Sequence, residues 1–156
     1  MDSFILGIIS DTHGLLRPEA VAALQGCDAI IHAGDIGEFF ILEELKAIAP
    51  TFAIRGNVDA SSWALLLPNT LVVELESTPI YVLHNLTQLE LKPAASGLQI
   101  VISGHTHNPE SHTHDGVLYI NPGSAGPKRF NLPVTVVRLD LARKPWDPAF
   151  ILLPIK

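Results

Sequence analysis

The chain has few of the features that mark secreted, membrane-spanning and thiolate-metal proteins. Cys27 is its single cysteine, which excludes an internal disulfide, an Fe–S cluster and a structural zinc site built on cysteines. No apolar run approaches the roughly 20 residues that cross a bilayer, and Asp11 interrupts the first of them. Residues 1–3 lack the basic segment with which a signal peptide opens. We therefore expect a soluble cytoplasmic protein with no membrane partner.

Positive charge is scarce as well. The chain has 10 lysines and arginines against 16 aspartates and glutamates, a formal net charge of -6. A surface that binds duplex nucleic acid needs clustered basic residues, so we expect no such partner. A small phosphate ester needs only local positive charge, which metal ions supply. Apolar residues make up 47% of the chain, which indicates a well-filled core or a covered surface and is compatible with a homodimer.

The first half of the chain alternates strands and helices, and no repeat or linker divides residues 1–156, so we predict a single domain. Strands are predicted over three apolar runs, residues 4–9, 29–31 and 51–54. A first helix begins at Pro18 and ends at Gly26. A second helix is predicted to bury a face that includes Phe40, Leu45 and Ile48. This order predicts parallel strands.

The second half contains further short strands. They are predicted over residues 71–75, 80–83, 100–103, 117–120, 134–141 and 150–153. A Ser-Thr-Pro turn at 77–79 joins the first two into a hairpin, and 86–96 favours a short helix that Pro93 would break. Their short connections predict antiparallel pairing. The expected fold class is α/β, a mixed two-sheet β-sandwich flanked by helices.

Side chains with metal-binding atoms follow five of the predicted strands. They are Asp11 and His13, Asp35, Asn57, His84, and His105 with His107. Ligand sites in α/β sheets form beyond the carboxyl ends of the strands, so these groups are expected to converge. A single Asp here is more often a turn former or helix cap, and a single His is more often structural. Turn formation does not require an imidazole, however, and four histidines lie just after predicted strands, which favours a metal site.

The ligand types indicate which metals would bind. Carboxylate, amide and imidazole groups without thiolate suit Mn, Fe, Ni or Zn. Seven ligands are too many for one ion, and they suit two ions that share a carboxylate, as in sites that clamp an in-line displacement at phosphorus. We expect two divalent metal ions as cofactors, with manganese first.

The same motifs resemble those of the calcineurin-like metallophosphoesterases. They are Asp11-Thr12-His13, Gly34-Asp35, Gly56-Asn57-Val58-Asp59, His84 and Gly104-His105-Thr106-His107, followed by Asn121-Pro122-Gly123-Ser124. Their order and spacing both agree, and the likeness is closest to the small bacterial and archaeal phosphodiesterases of that superfamily. The resemblance implies a four-layer α/β/β/α fold and hydrolysis of a small phosphodiester, with monoesters possible.

The resemblance also implies a role for each matching position. Asp11, His13 and His107 would hold one metal, and Asn57, His84 and His105 the other, with Asp35 between the two. The nucleophile in this family is a water or hydroxide that bridges the ions. Asp35, Asn57 and His105 are therefore the expected catalytic residues.

Two positions depart from the family pattern. Val58 stands where many relatives carry a catalytic His, so the leaving-group proton would come from water, from another residue, or not be needed. Asn85-Leu86 follows His84 where many relatives have Gly-His, which leaves the choice of substrate open. Asp59 either orients a ligand or is an ordinary loop carboxylate.

Other histidines and arginines have simpler predicted roles. A second His-Thr-His, residues 112–114, precedes an Asp-Gly turn and is assigned to an exposed loop tip. His32 is expected in the core or supporting the site. Arg17, Arg55 and Arg129 each have the guanidinium that binds phosphate. Arg129 is preferred because it follows the Asn-Pro-Gly-Ser turn, whose backbone is expected to support the site. A surface ion pair is expected for Arg17.

Two other functional classes compete with the hydrolase. The superfamily includes a retromer subunit that keeps the fold and serves mainly as a binding platform, so a protein scaffold is the main alternative. A scaffold that has lost catalytic activity is expected to have lost metal ligands, and here all seven positions carry side chains that can bind metal. A DNA nuclease is opposed by the acidic charge and by the lack of a separate nucleic-acid-binding segment.

Overall fold

The computed structural model describes residues 2–155, and ten strands and two α-helices follow one another along that part of the chain. The strands are β1 (Ile5–Ile9), β2 (Ala29–His32), β3 (Thr51–Ala53), β4 (Thr70–Leu75), β5 (Thr78–Leu83), β6 (Ile100–Ile102), β7 (Glu110–His114), β8 (Val117–Asn121), β9 (Thr135–Asp140) and β10 (Ala149–Leu152). The helices are α1 (Pro18–Ala23) and α2 (Phe39–Ile48). Short 3-10 turns lie at Ala64–Leu66 and Leu86–Gln88.

The strands form two mixed sheets of five strands each. The first sheet has the order β10-β9-β1-β2-β3. β1, β2 and β3 are parallel, and β9 is antiparallel to both of its neighbours, β1 and β10. The second has the order β4-β5-β6-β8-β7. The mixed two-sheet sandwich expected from the sequence is confirmed, as is the parallel pairing in its first half.

The prediction of antiparallel pairing in the second half is only partly correct. β4 with β5 and β7 with β8 are antiparallel hairpins, but β5 with β6 and β6 with β8 are parallel. The reason is that residues 84–99 form a crossover long enough to bring β6 back parallel to β5, and that β7 does not lie beside β6. β7 takes the edge position, and the chain returns as β8 to lie beside β6 in the same direction.

The space between the two sheets is filled by aliphatic side chains from both. Leu6, Ile8 and Ile31 of the first sheet pack there with Ile80 and Ile100 of the second, and all five are fully buried. Because alternate residues of a strand point to opposite faces, the intervening residues of β1 and β2 pack under the helices instead. Burial on both faces explains why these strands are continuously apolar.

Both α-helices cover the outer face of the first sheet. Ile41, Leu42 and Leu45 of α2 are buried against it. The prediction that Phe40 lies on this face is wrong, since its side chain is 43% exposed. Helix α2 begins at Phe39, and that start turns the stripe formed by 41, 42 and 45 towards the sheet. Within residues 2–155, neither helix is long and apolar enough to traverse a bilayer.

The outer face of the second sheet carries a thinner layer. Leu86 and Leu89 pack over it beside Tyr81 and Tyr119. The helix predicted over 86–96 is a single 3-10 turn, since the side chain of Asn85 accepts a hydrogen bond from Thr87 N and Leu89 leaves the helical region.

Two local predictions need correction. Residues 112–114, assigned to a loop tip, belong to the exposed edge strand β7, although the Asp-Gly turn after it is as predicted. The turn between β4 and β5 is made by Glu76 and Ser77, which both have positive φ, and Thr78 and Pro79 already belong to β5. In each case the cross-strand ladder continues further than the polar residues suggested.

Candidate metal centre

The predicted ligands lie in the loops that follow β1, β2, β3, β5 and β6. The structure brings six of the seven into two adjacent groups, in each of which the ligand atoms lie within 4.8 Å of one another. The first group is Asp11, His13 and His107, and the second is Asp35, His84 and His105. Strand ends from both sheets thus contribute to one site, as the sequence predicted.

The two groups meet at the carboxylates. Asp11 Oδ1 lies 3.3 Å from His107 Nε2, 3.5 Å from His13 Nε2 and 3.7 Å from His84 Nε2. Asp35 Oδ2 lies 3.1 Å from His84 Nε2 and 3.7 Å from His13 Nε2. Asp35 therefore approaches a histidine of each group. Ligand atoms on one metal ion lie about 3 to 3.5 Å apart when the metal–ligand bonds are near 2.0–2.2 Å, so these separations of 3.1–3.7 Å are close to those that a bound ion requires.

Each carboxylate is held by one oxygen and presents the other. Asp11 Oδ2 accepts hydrogen bonds from Ser10 Oγ at 2.6 Å and from His105 N at 3.0 Å. Asp35 Oδ1 accepts one from Val58 N at 3.0 Å. The remaining oxygens, Asp11 Oδ1 and Asp35 Oδ2, are the atoms that face the histidines.

His84 is oriented in the same way. Its Nδ1 lies 2.7 Å from Ala33 O, and because a carbonyl oxygen only accepts, Nδ1 carries the proton of the neutral ring. The Nε2 lone pair then points at Asp35 and Asp11. Such a fixed tautomer with a free Nε2 is typical of histidines that bind metal.

Four buried polar atoms at this point have no hydrogen-bond partner within residues 2–155. They are Asp11 Oδ1, His13 Nε2, His84 Nε2 and His107 Nδ1. Buried polar groups without partners are rare because each costs its full desolvation free energy. A cation would satisfy several of them at once, and oxygen and imidazole nitrogen are the donors it needs. The residues present therefore fit divalent metal ions.

The charges at the site favour the same conclusion. Burial raises the pKa of Asp11, but the neighbouring imidazoles of His107 and His13 and the hydrogen bond from Ser10 outweigh it and hold that pKa well below its ordinary value. Burial also raises the pKa of Asp35, and the neighbouring imidazole of His84 and the hydrogen bond from Val58 N more than offset it. Burial by itself would lower the pKa of His84, but the neighbouring carboxylates of Asp35 and Asp11 raise it by more, so the net shift is upward. Both carboxyls are thus anionic at neutral pH.

The backbone at the ligands is strained. Nine non-glycine residues have positive φ in the described chain, and five of them are Asp11, His13, Asp35, His105 and His107. This left-handed region costs of order 1 kcal/mol for a residue with a Cβ, and it persists where the surroundings impose it. Its concentration on five of the predicted ligands favours a functional role for them.

Two glycines allow the loops to approach the ligands closely. A Cβ on Gly56 would overlap the side chain and backbone of Asp35, and one on Gly104 would overlap Ser10 and lie 2.6 Å from Asp11 Oδ2. The Gly beside each ligand in the sequence is thus required by close contact.

The sequence left open whether Asp59 orients a ligand or is an ordinary loop carboxylate. Its carboxylate accepts hydrogen bonds from Ile36 N at 3.1 Å, Gly37 N at 3.1 Å and Gly56 N at 3.0 Å. These donors lie beside Asp35 in one loop and beside Asn57 in the other. Asp59 therefore joins and positions the two loops that carry these ligands.

His32 supports the site from the core, as expected. Its Nδ1 accepts a hydrogen bond from Gly34 N at 3.1 Å, so Nε2 carries the proton and donates to Thr12 Oγ1 at 3.0 Å. Burial lowers the pKa of His32 to about 4. Sequence reasoning missed the supporting role of Thr12, whose hydroxyl donates to Ile36 O at 2.8 Å, and the only signal was a hydroxyl next to Asp11.

The Asn-Pro-Gly-Ser turn supports the centre through its side chains, whereas the sequence suggested its backbone. Asn121 Nδ2 donates to Gly104 O and Thr106 Oγ1, each at 3.0 Å. Ser124 Oγ donates to Asp11 O at 3.0 Å. Two loops with ligands are therefore tied to this turn.

Asn57 and the three arginines lie outside the two ligand groups. Asn57 is exposed and lines a cleft of about 830 Å³ together with His84 and Arg55. Arg17 Nε donates to Gly126 O at 3.1 Å, and within residues 2–155 it makes no ion pair, contrary to the prediction. Arg129 is exposed, and its contact with substrate stays a prediction.

Comparison with known proteins gives consistent results. The calcineurin-like phosphoesterase superfamily domain matches residues 4–144. The probable metallophosphoesterase of Methanothermobacter thermautotrophicus is 34% identical over 149 residues, covering 87% of this chain and 86% of that protein. Phosphodiesterase MJ0936 of Methanocaldococcus jannaschii is 30% identical over 90% of this chain and 95% of that protein.

Solved structures agree. One described as a novel archaeal phosphodiesterase has a TM-score of 0.80 at 26% identity, covering 95% of this chain and 100% of that chain. Vacuolar protein sorting 29 of Cryptosporidium parvum has a TM-score of 0.73 at 17% identity, covering 96% of this chain and 97% of that chain. At this identity the second likeness concerns the fold alone.

Proposed function

This chain belongs to the calcineurin-like phosphoesterase superfamily, and from that membership we propose that it is a metal-dependent phosphodiesterase acting on a small phosphodiester. The observation that carries the proposal is the pair of adjacent ligand groups, with Asp35 near a histidine of each and four buried polar atoms lacking partners. Similar proteins named phosphodiesterase support the choice of a diester.

The proposed ligand sets follow the two groups. Asp11, His13 and His107 would hold one divalent ion, and Asp35, His84 and His105 would hold the other. The family resemblance would add Asn57 to the second set and make Asp35 common to both, in keeping with its 3.7 Å distance from His13 Nε2. The ions would lower the pKa of a water and neutralise the phosphoryl oxygens that it attacks. Nitrogen and oxygen donors without thiolate favour Mn, with Fe, Ni or Zn as alternatives.

The chain's own residues prepare this chemistry. Asp11 and Asp35 supply the negative charge that attracts cations, and each is kept in place by hydrogen bonds to its second oxygen. Ala33 O holds the proton on His84 Nδ1, which keeps Nε2 available as a ligand. The hydrogen bonds to Asp59 hold the loops of Asp35 and Asn57 together.

The departing group receives its proton from water in this proposal. Val58 follows Asn57 and is 53% exposed, so this position offers solvent access and no acidic proton. Aryl esters, whose leaving groups need no protonation, are then the best substrates, and alkyl esters react more slowly. Arg129 remains the predicted contact to the phosphoryl oxygens, and a cytoplasmic location and a homodimer remain predictions from composition.

The test uses bis(p-nitrophenyl) phosphate with and without Mn(II). Asp35→Asn is expected to lower kcat/KM by about 1,000-fold, because it removes the shared negative charge. Asp147→Asn removes the same negative charge at an exposed position. It is the matched control and is expected to retain wild-type activity. Elemental analysis and thermal shift report metal binding independently of turnover.

The scaffold is the alternative function, and the complete ligand set argues against it. Wild-type protein that binds two equivalents of metal but hydrolyses no aryl phosphodiester would favour the scaffold. Protein that binds no metal under saturating Mn(II) would refute the metal site itself.

A further inference from the structure

A cleft of about 830 Å³ opens beside the candidate metal centre, between the segments that follow β3 and β5. Asn57 and His84 line it next to the centre, and Arg55, Asn69 and Gln88 are among the residues that line the rest. Small-molecule sites occupy roughly 300–1,000 Å³, which is far more than one phosphoryl group fills. The cleft thus has room for a substituent of the ester as well as its phosphorus.

Arg55 is held in this cleft with most of its donors free. Its Nε donates to Asn69 Oδ1 at 3.1 Å, and its backbone N donates to Pro68 O at 2.9 Å. Within residues 2–155, no carboxylate lies within ion-pair distance of Arg55, and neither Nη group has a hydrogen-bond partner. Arg138 is different, since its Nη1 donates to Ala23 O and Gln25 O. Arg55 is therefore fixed in position and available to a ligand.

The other lining side chains are mainly hydrogen-bonding groups. The amides of Asn69, Asn85 and Gln88, the hydroxyls of Thr70 and Thr87 and the carboxylate of Glu90 line the cleft. Its apolar part is formed by the half-buried Tyr81 and Leu89, since Leu83 is only 3% exposed. Amides, a hydroxyl and a guanidinium can pair with hydroxyl and carbonyl oxygens, whereas an alkyl chain would leave them unpaired at a cost in free energy.

We propose that Arg55, positioned by Asn69, binds the hydroxyl-bearing substituent of the phosphodiester, such as a pentose or hexose ring. The enzyme then selects nucleoside- and sugar-type esters over alkyl esters. This inference rests on the proposed function, because it takes Asn57 and His84 as part of the site that receives the phosphoryl group.

The kinetic test compares two substrates with the same leaving group, the p-nitrophenyl ester of thymidine 5′-phosphate and p-nitrophenyl ethyl phosphate. Wild-type enzyme is expected to prefer the thymidine ester. Arg55→Gln should lower its kcat/KM by about tenfold, the value of a hydrogen bond to a charged group, and change the ethyl ester less than twofold. Asn69→Ala should raise KM for the thymidine ester with little change in kcat. An equal loss on both esters, or no loss on either, overturns the inference.

Two controls separate this effect from charge and from folding. Arg143→Gln removes the same charge just beyond Leu141, which pairs with Phe4 at the opposite end of β1 from the centre, and should change neither ester. Arg55→Lys keeps the charge but loses the planar fork, and should lose as much on the thymidine ester as Arg55→Gln. Full recovery by lysine overturns the role of the guanidinium.

A binding measurement distinguishes failure of this inference from failure of the proposed function. The Nε–H signal of Arg55 in ¹⁵N spectra, identified by its loss in Arg55→Gln, should shift on addition of ribose 5-phosphate and not of methyl phosphate. No shift with either ligand overturns the assignment of the cleft. A specific shift without metal-dependent turnover of either ester would overturn the phosphodiesterase and leave the sugar-binding cleft in place.

Discussion

The tripeptide His-Thr-His occurs twice in this chain, and its two copies have different structures. In the first, His105 and His107 have positive φ of 74° and 64° in the turn after β6. In the second, His112 and His114 lie in the regular edge strand β7 and are exposed. The same side chains therefore become candidate ligands in one place only, because the backbone and its neighbours differ.

The neighbours explain what each copy does. His107 lies 5.3 Å from His13 and His105 lies 5.3 Å from His84, measured between ring centroids, so the first copy contributes one histidine to each ligand group. In the second copy, His112 stacks on Tyr119 at 5.0 Å. Within residues 2–155, no group of three metal-binding side chains includes His112 or His114.

The largest effect should come from exchanging one histidine in each copy for asparagine, which tolerates positive φ. His107→Asn removes a buried candidate ligand and is expected to lower kcat/KM for an aryl phosphodiester by about 1,000-fold. His114→Asn, at a 70% exposed side chain, should change it less than twofold. Steady-state kinetics with matched metal loading checks both, and equal losses would contradict the distinction between the copies.

His32, which is buried and is not a predicted ligand, should make the stability of the fold depend on pH. Burial lowers the pKa of His32 to about 4, against 6.5 for the unfolded chain. Below pH 6.5 the unfolded state binds a proton that the folded state refuses, so stability is lost as pH falls from 6.5 to 4, by up to about 3 kcal/mol. Urea unfolding of metal-free wild type should show a steeper loss in this window than His32→Gln. Parallel curves would refute the buried neutral ring.

The smallest effect concerns strain, and it should have opposite signs in the two copies. His105→Gly relieves a positive φ at an exposed side chain and should raise the free energy of unfolding of metal-free protein by about 1 kcal/mol. His112→Gly places glycine in a strand and removes the stack on Tyr119, and should lower it by about 1 kcal/mol. Ser77→Gly, at a strained hairpin turn remote from the ligands, should stabilise as His105→Gly does without loss of metal binding. Destabilisation by His105→Gly would contradict the strain argument.

Much of the fold followed from local patterns in the sequence. β1 and β2 are buried on both faces, so their apolar runs were continuous and their parallel pairing was predictable. The pairing of β6 with β8 was not, because it depends on β7 taking the edge of the sheet, and no residue within β6 encodes that choice. β7 itself was missed because an exposed edge strand has no apolar alternation to detect.

The site was predictable for a different reason. Asp11, His84 and His107 each follow a strand. Because the carboxyl ends of such strands lie at the same edge of a sheet, the convergence of these residues could be predicted from the order of the motifs. The supports were harder to see, since Asp59 and Ser10 act through backbone N–H groups or a single neighbouring oxygen. The cleft around Arg55 depends on the packing of two loops and is not encoded near that residue.

The clamp made by Asp59 has a consequence for how a cation would arrive. Because one carboxylate already binds Ile36 N, Gly37 N and Gly56 N, the loops lose most of their conformational entropy when the chain folds. Binding of a cation would then require little further ordering of these loops, so the metal-free and metal-bound proteins should have nearly the same shape. A designer who wished to change the metal could therefore exchange ligands on a rigid platform, without first having to build one.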